Sequence, residues 1–180
     1  MTTSPSSSDA PWKGISVTLE LDRYQPEDLM ETVSMWRASK RAAFPYVAVI
    51  QQYTLENDIA YFRDSLAARC EVWLARRDGQ LGGMLALDGR LIDQLFVAVE
   101  AQRTGVGTAL VRKAMERSPE GLVLFTFRKN LPARAFYEKH GFTIVRFGVS
   151  APPENEPDVE YCRSPQRDLP AHSDGSTEKG

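Results

Sequence analysis

One stretch constrains the fold of this chain more than any other: an alternating run that leads through two glycines into helical spacing. Leu91-Ile92-Asp93-Gln94-Leu95-Phe96-Val97 reads as a strand, with Leu91, Asp93, Leu95 and Val97 on one face and Ile92, Gln94 and Phe96 on the other. From Val106 onward, Ala109, Leu110 and Ala114 repeat as one apolar helical face, with Arg112, Lys113 and Arg117 elsewhere on the surface. Between the two lies Gln102-Arg103-Thr104-Gly105-Val106-Gly107-Thr108. Gly105 and Gly107 let backbone approach a ligand without Cβ clashes, and the unpaired amides of a helix start offer donors to negative oxygen. No Lys-Ser or Lys-Thr pair follows the glycines, which argues against a P-loop, and Leu110 stands where a dinucleotide fingerprint needs Gly or Ala. Taken alone, the stretch also fits a glycine-rich helix start that binds nothing.

A second segment narrows the choice. Gly121-Leu122-Val123-Leu124-Phe125-Thr126-Phe127 is a β-rich run. Asn130-Leu131-Pro132 then opens a short helix with Pro132 in its first turn, and Gly141 is placed to end it in a left-handed cap. Strand, helix, strand, helix and strand therefore alternate through this half of the chain.

With both segments in view, the chain resembles the GNAT-type N-acetyltransferase superfamily. Gln-x-x-Gly-x-Gly stands at Gln102 to Gly107, and Asn…Ala-Phe-Tyr-x-x-x-Gly-Phe stands at Asn130 to Phe142, in the family's order. Leu95-Phe96-Val97 fits the family's central strand and Gly82-Gly83-Met84-Leu85-Ala86-Leu87 the strand before it, so the likeness runs from about Ser16 to Arg163. It implies a single α/β domain: a mixed, mostly antiparallel twisted sheet of about seven strands with about four helices, its central strand splayed from a neighbour to admit acetyl-CoA. It also implies acetyl transfer to a primary amine by direct attack in a ternary complex, the acceptor being a small amine or a peptide amine. By the same resemblance the pantetheine arm lies along Phe96, Val97, Ala98 and Val99. The pyrophosphate falls on Gln102, Arg103, Thr104, Gly105, Val106, Gly107 and Thr108, and further donor contacts on Asn130, Ala133, Phe136 and Tyr137. Asn130 has a second reading as the cap of its own helix.

Bulk properties agree. A chain of 180 residues holds one core and is too short for two ordinary domains. The formal net charge of −2 argues against a general nucleic-acid binder, although Arg103, Arg112 and Lys113 leave room for a local basic rim. Thr2 to Asp9 has no apolar core of a signal peptide, and no run approaches the ~20 apolar residues of a membrane span, so a cytoplasmic protein without membrane or nucleic-acid partners is expected. Residues 1–14 and 164–180 are rich in Ser, Pro, Gly and charge and read as disordered tails around a domain at 15–163. Cys70 and Cys162 fall in expected strands and read as buried thiols, and no metal-ligand spacing is present. Homodimer formation is compatible with the family and fixed by nothing in the sequence.

Ahead of the glycines, residues 16–21 alternate as a strand and Pro26-Glu27-Asp28 opens a helix to about Lys40. Thr54 with Asn57 and Asp58 starts a second helix containing Ile59, Phe62 and Leu66. Cys70 to Arg76 and Gln80 to Leu87 form a hairpin about Asp78-Gly79. Residues 143–150 and 158–163 are the last strands, joined by a loop rich in Pro and Glu.

Chemistry sets what a site must contain. A lysine-type amine has a pKa near ~10.4, so at pH 7 fewer than about one in a thousand is the neutral nucleophile. A base must deprotonate it, a donor must face the oxyanion, and the departing thiolate needs a proton or a hydrogen bond. Tyr137 matches the family's tyrosine and is the candidate acid; a residue beside Phe136 on a helix points about 100° away, so Phe136 packs while Tyr137 faces the cleft. A phenol near ~10 is a weaker acid than a thiol near ~8.5, so full proton transfer is uphill by about 2 kcal/mol and Tyr137 can serve by hydrogen-bonding the sulfur alone. Its other reading is an amphipathic anchor. Asp93, on the central strand, is the candidate base or water relay, with Glu100 and Glu56 as alternatives and a structural ion pair as its other explanation. His140, just before Gly141, suits a helix C-terminus.

The acceptor wall falls, by resemblance, on Trp36, Arg37, Phe44, Tyr46, Tyr53, Asn57 and Tyr61 with Glu154, Glu156, Asp158 and Glu160. That acidic loop fits a cationic amine, or is simply solvated. Two other functions fit parts of the pattern: a noncatalytic acyl-CoA sensor, and an interaction module exposing Trp36, Phe44 and Tyr46.

Overall fold

The computed structural model describes residues 18–165. The tail expected at 1–14, residues 16 and 17 of the first expected strand, and all but two residues of the tail expected at 164–180 lie outside that range. Seven strands make one sheet: β1 (Leu19–Arg23), β2 (Glu71–Arg77), β3 (Gln80–Asp88), β4 (Leu91–Val97), β5 (Leu122–Phe127), β6 (Thr143–Val149) and β7 (Pro157–Arg163). Their order is β1-β2-β3-β4-β5-β7-β6, and only β4 with β5 is parallel. The β2–β3 hairpin turns on Asp78 and Gly79, at φ 51° and 79°, the pair of positive dihedrals that matches strand twist in a two-residue turn.

The helices start where their caps predict. Pro26–Asp28 forms a 3₁₀ turn leading into α1 (Leu29–Ala43), and the Gln25 amide donates to Asp28 Oδ2 at 2.9 Å. Next comes α2 (Ala48–Gln52), and Thr54 then caps α3 (Leu55–Tyr61): the Asn57 amide donates to Thr54 Oγ1 at 3.2 Å and the Thr54 amide to Asn57 Oδ1 at 3.0 Å. This helix runs on through a π-helical turn, Phe62–Leu66, into α4 (Ala67–Arg69). The remaining helices are α5 (Val106–Arg117) and α6 (Leu131–Lys139). The element beyond the sequence expectation is α2. Its five residues are too few to show a period, yet Val47 and Ile50 are buried and Gln51 Nε2 bonds the Arg41 and Phe44 carbonyls at the end of α1.

Helices cover the sheet on both faces. Leu85 and Leu87 of β3 join Val106, Leu110, Leu122, Leu124 and Tyr161 in one core, under α5 and α6. Met84 and Ala86 point the other way, into a core with Val33, Trp36, Phe62 and Leu66 under α1 and α3. Alternation along one central strand thus feeds both layers, and each fully buried leucine contributes roughly 1.5–3 kcal/mol. At Gly83 a Cβ would lie 2.9 Å from both Phe96 O and Val106 Cγ1, and 3.1 Å from Leu110 Cδ1, so this glycine lets α5 sit unusually close to the sheet.

The strand β4 departs from the alternation expected of it. Leu87 pairs with Ile92 and Ala86 with Gln94, which leaves Asp93 as an extra residue, a β-bulge. The bulge resets the period, so Ile92 packs in the same core as Leu95 and Val97 instead of sharing a face with Gln94 and Phe96. Cys70 also differs from expectation: it precedes β2 and is buried, whereas Cys162 of β7 is half-buried, and both are free thiols.

Candidate active site

The parallel pairing of β4 with β5 covers only Leu91↔Val123 and Ile92↔Leu124. Beyond that point Leu95, Phe96 and Val97 stay with β3, and Phe125, Thr126 and Phe127 stay with β7. The two central strands therefore part, and the bulge at Asp93 sits where they do. Between them lie strand edges whose backbone donors and acceptors are not used on each other, the kind of edge on which an extended amide-bearing chain adds like another strand.

At the end of β4 the backbone bends into a donor-rich loop. The Ala98 amide donates to Gly82 O at 2.9 Å, Val99–Ala101 makes a 3₁₀ turn, and Thr104 Oγ1 donates to Ala101 O at 2.6 Å. Arg103 and Gly105 take positive φ values of 62° and 96°. The Ala109 amide is the first of α5 to find a backbone acceptor, Gly105 O at 3.0 Å. Among the described residues the amides of Arg103, Thr104, Gly105, Val106, Gly107 and Thr108 have no partner in the protein. A Cβ built at Gly105 meets nothing within 4 Å, so open space lies over the N-terminus of a twelve-residue helix, whose dipole favours an anion there. Gly107 has a different reason to be glycine: a Cβ would lie 3.3 Å from the Phe136 ring and 3.5 Å from Val97 Cγ2. Of the expected basic rim, Lys113 is turned aside, paired with Glu116 at 2.7 Å and standing over Trp73.

The loop meets α6 through Phe136. Asn130 Oδ1 accepts from the Ala133 amide and Asn130 Nδ2 donates to Thr126 Oγ1, both at 3.4 Å, so its side chain acts as the cap of α6. Gly141, at φ 82°, ends the helix as expected: its amide bonds Glu138 O and the Phe142 amide bonds Tyr137 O, both at 3.1 Å. The two neighbouring rings differ in how deeply they are buried. Phe136 is half-buried against Gly107, while Tyr137 is 7% exposed among Phe136, Phe142 and Tyr161, with ring centroids 5.4, 5.5 and 6.5 Å away. The Tyr137 ring is thus held by aromatic neighbours on several sides. Burial pushes its phenol pKa well above the ordinary value, and among the described residues its hydroxyl has no hydrogen-bond partner.

Asp93 lies at the apex of the split on the α1–α3 side. Its Oδ1 accepts from both terminal nitrogens of Arg69 at 3.2 Å, and Gln94 Nε2 reaches its Oδ2 at 3.4 Å. Gln94 in turn accepts from Trp36 Nε1 at 3.3 Å. Glu100 and Glu56 are exposed, on the loop and on α3. A charge cluster that the sequence did not single out sits behind this wall: Asp58, 3% exposed, binds Lys40 Nζ at 2.7 Å and also Arg37. Lys40 Nζ stands 3.7 Å from the centroid of Trp36; burial lowers its pKa and the Asp58 contact pushes it back up. Trp36, 2% exposed, is a core residue and belongs neither to an acceptor wall nor to an exposed patch.

Phe44, by contrast, bridges the mouth of the split. Its ring lies 6.0 Å from Phe96 on β4 and 4.8 Å from Phe127 on β5, and Tyr46 is 6.5 Å from Phe127. The β6–β7 loop reaches the same place: Lys129 Nζ is 3.4 Å from Glu156 Oε2 and 5.0 Å from the Tyr46 ring centroid. Among the described residues the buried Tyr46 hydroxyl has no hydrogen-bond partner, and burial followed by the Glu156 charge raises its pKa.

A seven-stranded sheet opened between its two parallel strands, with free amides on its α5 face and an aromatic mouth carrying Glu156 on its α1 face, defines a transferase that draws an acyl group from a coenzyme A thioester. Comparison with known proteins gives the family. The Acetyltransferase (GNAT) domain family matches residues 68–144. The chain is 33% identical over 122 residues to the peptidyl-lysine N-acetyltransferase YiaC of Escherichia coli, covering 67% of this chain and 81% of that protein. It is 29% identical over 131 residues to the peptidyl-lysine N-acetyltransferase YjaB of the same organism, covering 72% and 85%. Among solved structures, apo-form YjaB from Escherichia coli superposes with a TM-score of 0.65 at 24% identity over 83% of this chain and 99% of that one. The PaiA N-acetyltransferase of Thermoplasma acidophilum, solved with coenzyme A, gives 0.60 at 18% identity over 82% and 99%. The chain belongs to the GNAT acetyltransferase family and is an acetyl-CoA-dependent N-acetyltransferase.

Proposed function

We propose that the amine acetylated by this enzyme is a lysine-type primary amine, presented on a peptide and entering at the aromatic mouth. The observation that carries the reading is Phe44 between Phe96 and Phe127 with Glu156 beside Tyr46. Aromatic walls suit an alkyl stem, and the Glu156 carboxylate draws its ammonium toward the split. YiaC and YjaB are both named peptidyl-lysine N-acetyltransferases, which agrees.

In this reading Phe96, Val97, Ala98 and Val99 bond the pantetheine arm, and Gln102 to Thr108 hold the pyrophosphate, on the free amides of Arg103 to Thr108. Ala133 and Phe136 close the donor side. Asn130 supports this wall as a helix cap. Asp93, oriented by Arg69, takes the amine proton directly or through water. The amine attacks the thioester carbon, the tetrahedral oxyanion is met by a β4 amide, and the C–S bond breaks. Tyr137 then hydrogen-bonds the departing sulfur; its raised pKa makes full proton donation still more uphill, so the thiolate takes its proton from solvent. Cytoplasmic action and a domain at 15–163 are part of this reading, which rests there on the acetyl-CoA requirement and the reach of the two motifs.

The test is acetylation of lysine peptides, with and without acidic or basic flanks, followed by mass spectrometry and set against free polyamines and aminoglycosides. Turnover of small amines alone would sink the peptide assignment. A folded protein that binds acetyl-CoA but turns over no amine would favour the sensor alternative.

A homodimer is the assembly we infer, paired through β6. All seven residues of β6 are exposed, including Ile144, Val145, Phe147 and Val149, and the strand ends the sheet. Its only charge, Arg146, is engaged by Glu160, so β6 lacks the protection that Glu20, Asp22 and Arg23 give the opposite edge, β1. Antiparallel pairing about Phe147 would set Phe147 against its copy and Arg146 opposite Gly148, beside Asp158.

A further inference from the structure

His140 ties the two glycine-bearing segments together. Its ring packs on Phe136 with centroids 4.4 Å apart; Nδ1 lies 2.8 Å from Phe136 O and Nε2 lies 3.2 Å from Thr108 Oγ1. A carbonyl oxygen can only accept, so Nδ1 must carry a hydrogen whenever that bond is made. It follows that Nε2 carries one only in the imidazolium. In the neutral ring Nε2 accepts, Thr108 has to spend its hydroxyl hydrogen on it, and the oxygen turns lone pairs toward the loop. In the imidazolium Nε2 donates to Thr108 Oγ1, and the hydroxyl hydrogen is free to point away. Thr108 is the third residue of α5, inside the run of amides without partners.

We propose that a proton on His140 and the pyrophosphate of coenzyme A bind together. This rests on the reading that residues 102–108 hold the pyrophosphate. One proton passes from solvent to Nε2, the Thr108 hydroxyl reverses, and a phosphate oxygen gains a donor it lacks in the neutral state. Among the described residues nothing supplies the counter-charge. Arg163 on β7 donates Nε to His140 O at 3.2 Å, Lys139 precedes the ring, and Arg112 lies one turn beyond Thr108 on α5. Glu138 is held by the Tyr161 hydroxyl at 2.6 Å, and among the described residues no carboxylate contacts the ring. The anion that balances the imidazolium therefore comes with the ligand. His140 is a positioning residue, acting through Thr108.

Dephospho-CoA is the probe, because the 3′-phosphate of coenzyme A would add its own ionisation near pH ~6. Titration calorimetry in two buffers of different ionisation enthalpy counts the protons taken up on binding, from pH 5.5 to 8.5. Wild type is expected to take up as much as about one proton, with affinity weakening by up to about tenfold per unit as pH rises. His140→Leu and Thr108→Val should each abolish the uptake, whereas replacing His172, the chain's other histidine, should leave it unchanged. A ring-nitrogen NMR titration of wild type should show His140 protonating as dephospho-CoA is added, independently of whether either variant folds. Binding without proton exchange, or uptake that survives His140→Leu, overturns the proposal. No binding of dephospho-CoA by folded wild type overturns the pyrophosphate assignment itself.

Discussion

Ile92 and Leu124 are the last residues at which the two central parallel strands remain paired. In the proposed mechanism the thioester enters where they separate, and the groups that flank that opening can be tested one at a time.

Tyr137→Phe removes a hydroxyl and leaves the aromatic packing with Phe142 and Tyr161 in place. A turnover loss of about 10²-fold is expected, with the acetyl-CoA dissociation constant unchanged. Steady-state kinetics alongside calorimetry measure both; equal turnover would reduce Tyr137 to an anchor.

The same substitution has a signature in stability. The folded pKa of Tyr137 is raised by burial, so its contribution is fully present below the unfolded value near ~10 and is lost as pH rises through the folded one. Urea midpoints of wild type and Tyr137→Phe should run parallel up to pH ~10. Above that, wild type should fall more steeply, by up to about 1.4 kcal/mol per pH unit.

Gly105→Ala is a sharper probe of the phosphate loop than any change at Gly107, where a side chain strikes Phe136. At Gly105 the methyl enters open space and the backbone holds φ at 96°, so a stability loss of about 1 kcal/mol should accompany a much larger loss of coenzyme A affinity. Denaturation and binding curves on one preparation separate the two.

Asp93→Asn keeps the shape of the bulge and removes the charge that Arg69 orients. Turnover should drop about 10²-fold or more with donor binding intact. If the variant retains wild-type turnover across the pH range, the ion pair is structural only.

Thiol labelling distinguishes the two cysteines. Burial pushes Cys70 up to about 11, whereas Cys162 is half-buried. At pH 8 about one Cys70 in a thousand is thiolate, so iodoacetamide should modify Cys162 first, as peptide mapping would show.

How much of this was legible beforehand differs from element to element. The caps at Thr54, Asn130 and Gly141 are local chemistry, written in short spans, and each ends or begins a helix where the sequence places it. The glycine loop and the strand before it were legible for the same reason. The bulge at Asp93 was not, because an extra residue in β4 is defined only by its register with β3. Nor was the Asp58 cluster, whose partners come from a helix eighteen and twenty-one residues earlier in the chain. The burial of the Tyr137 ring depends on Phe142 and Tyr161, and Trp36 owes its burial to β4 and α3; such partners are chosen by tertiary packing and leave no period to read.

Gly83 works at a distance from every atom of the reaction. It stands in β3, and its missing side chain is the clearance by which Val106 and Leu110 settle onto the sheet. The height of that helix fixes how far its leading amides project beyond the strands. A methyl group here would lift the helix and, in the proposed binding mode, carry the anchor of one end of the coenzyme away from the fixed point of the other, lengthening the span that a ligand of constant length must bridge. Gly83 thus serves as a gauge block for the height of α5, set by strand and helix packing.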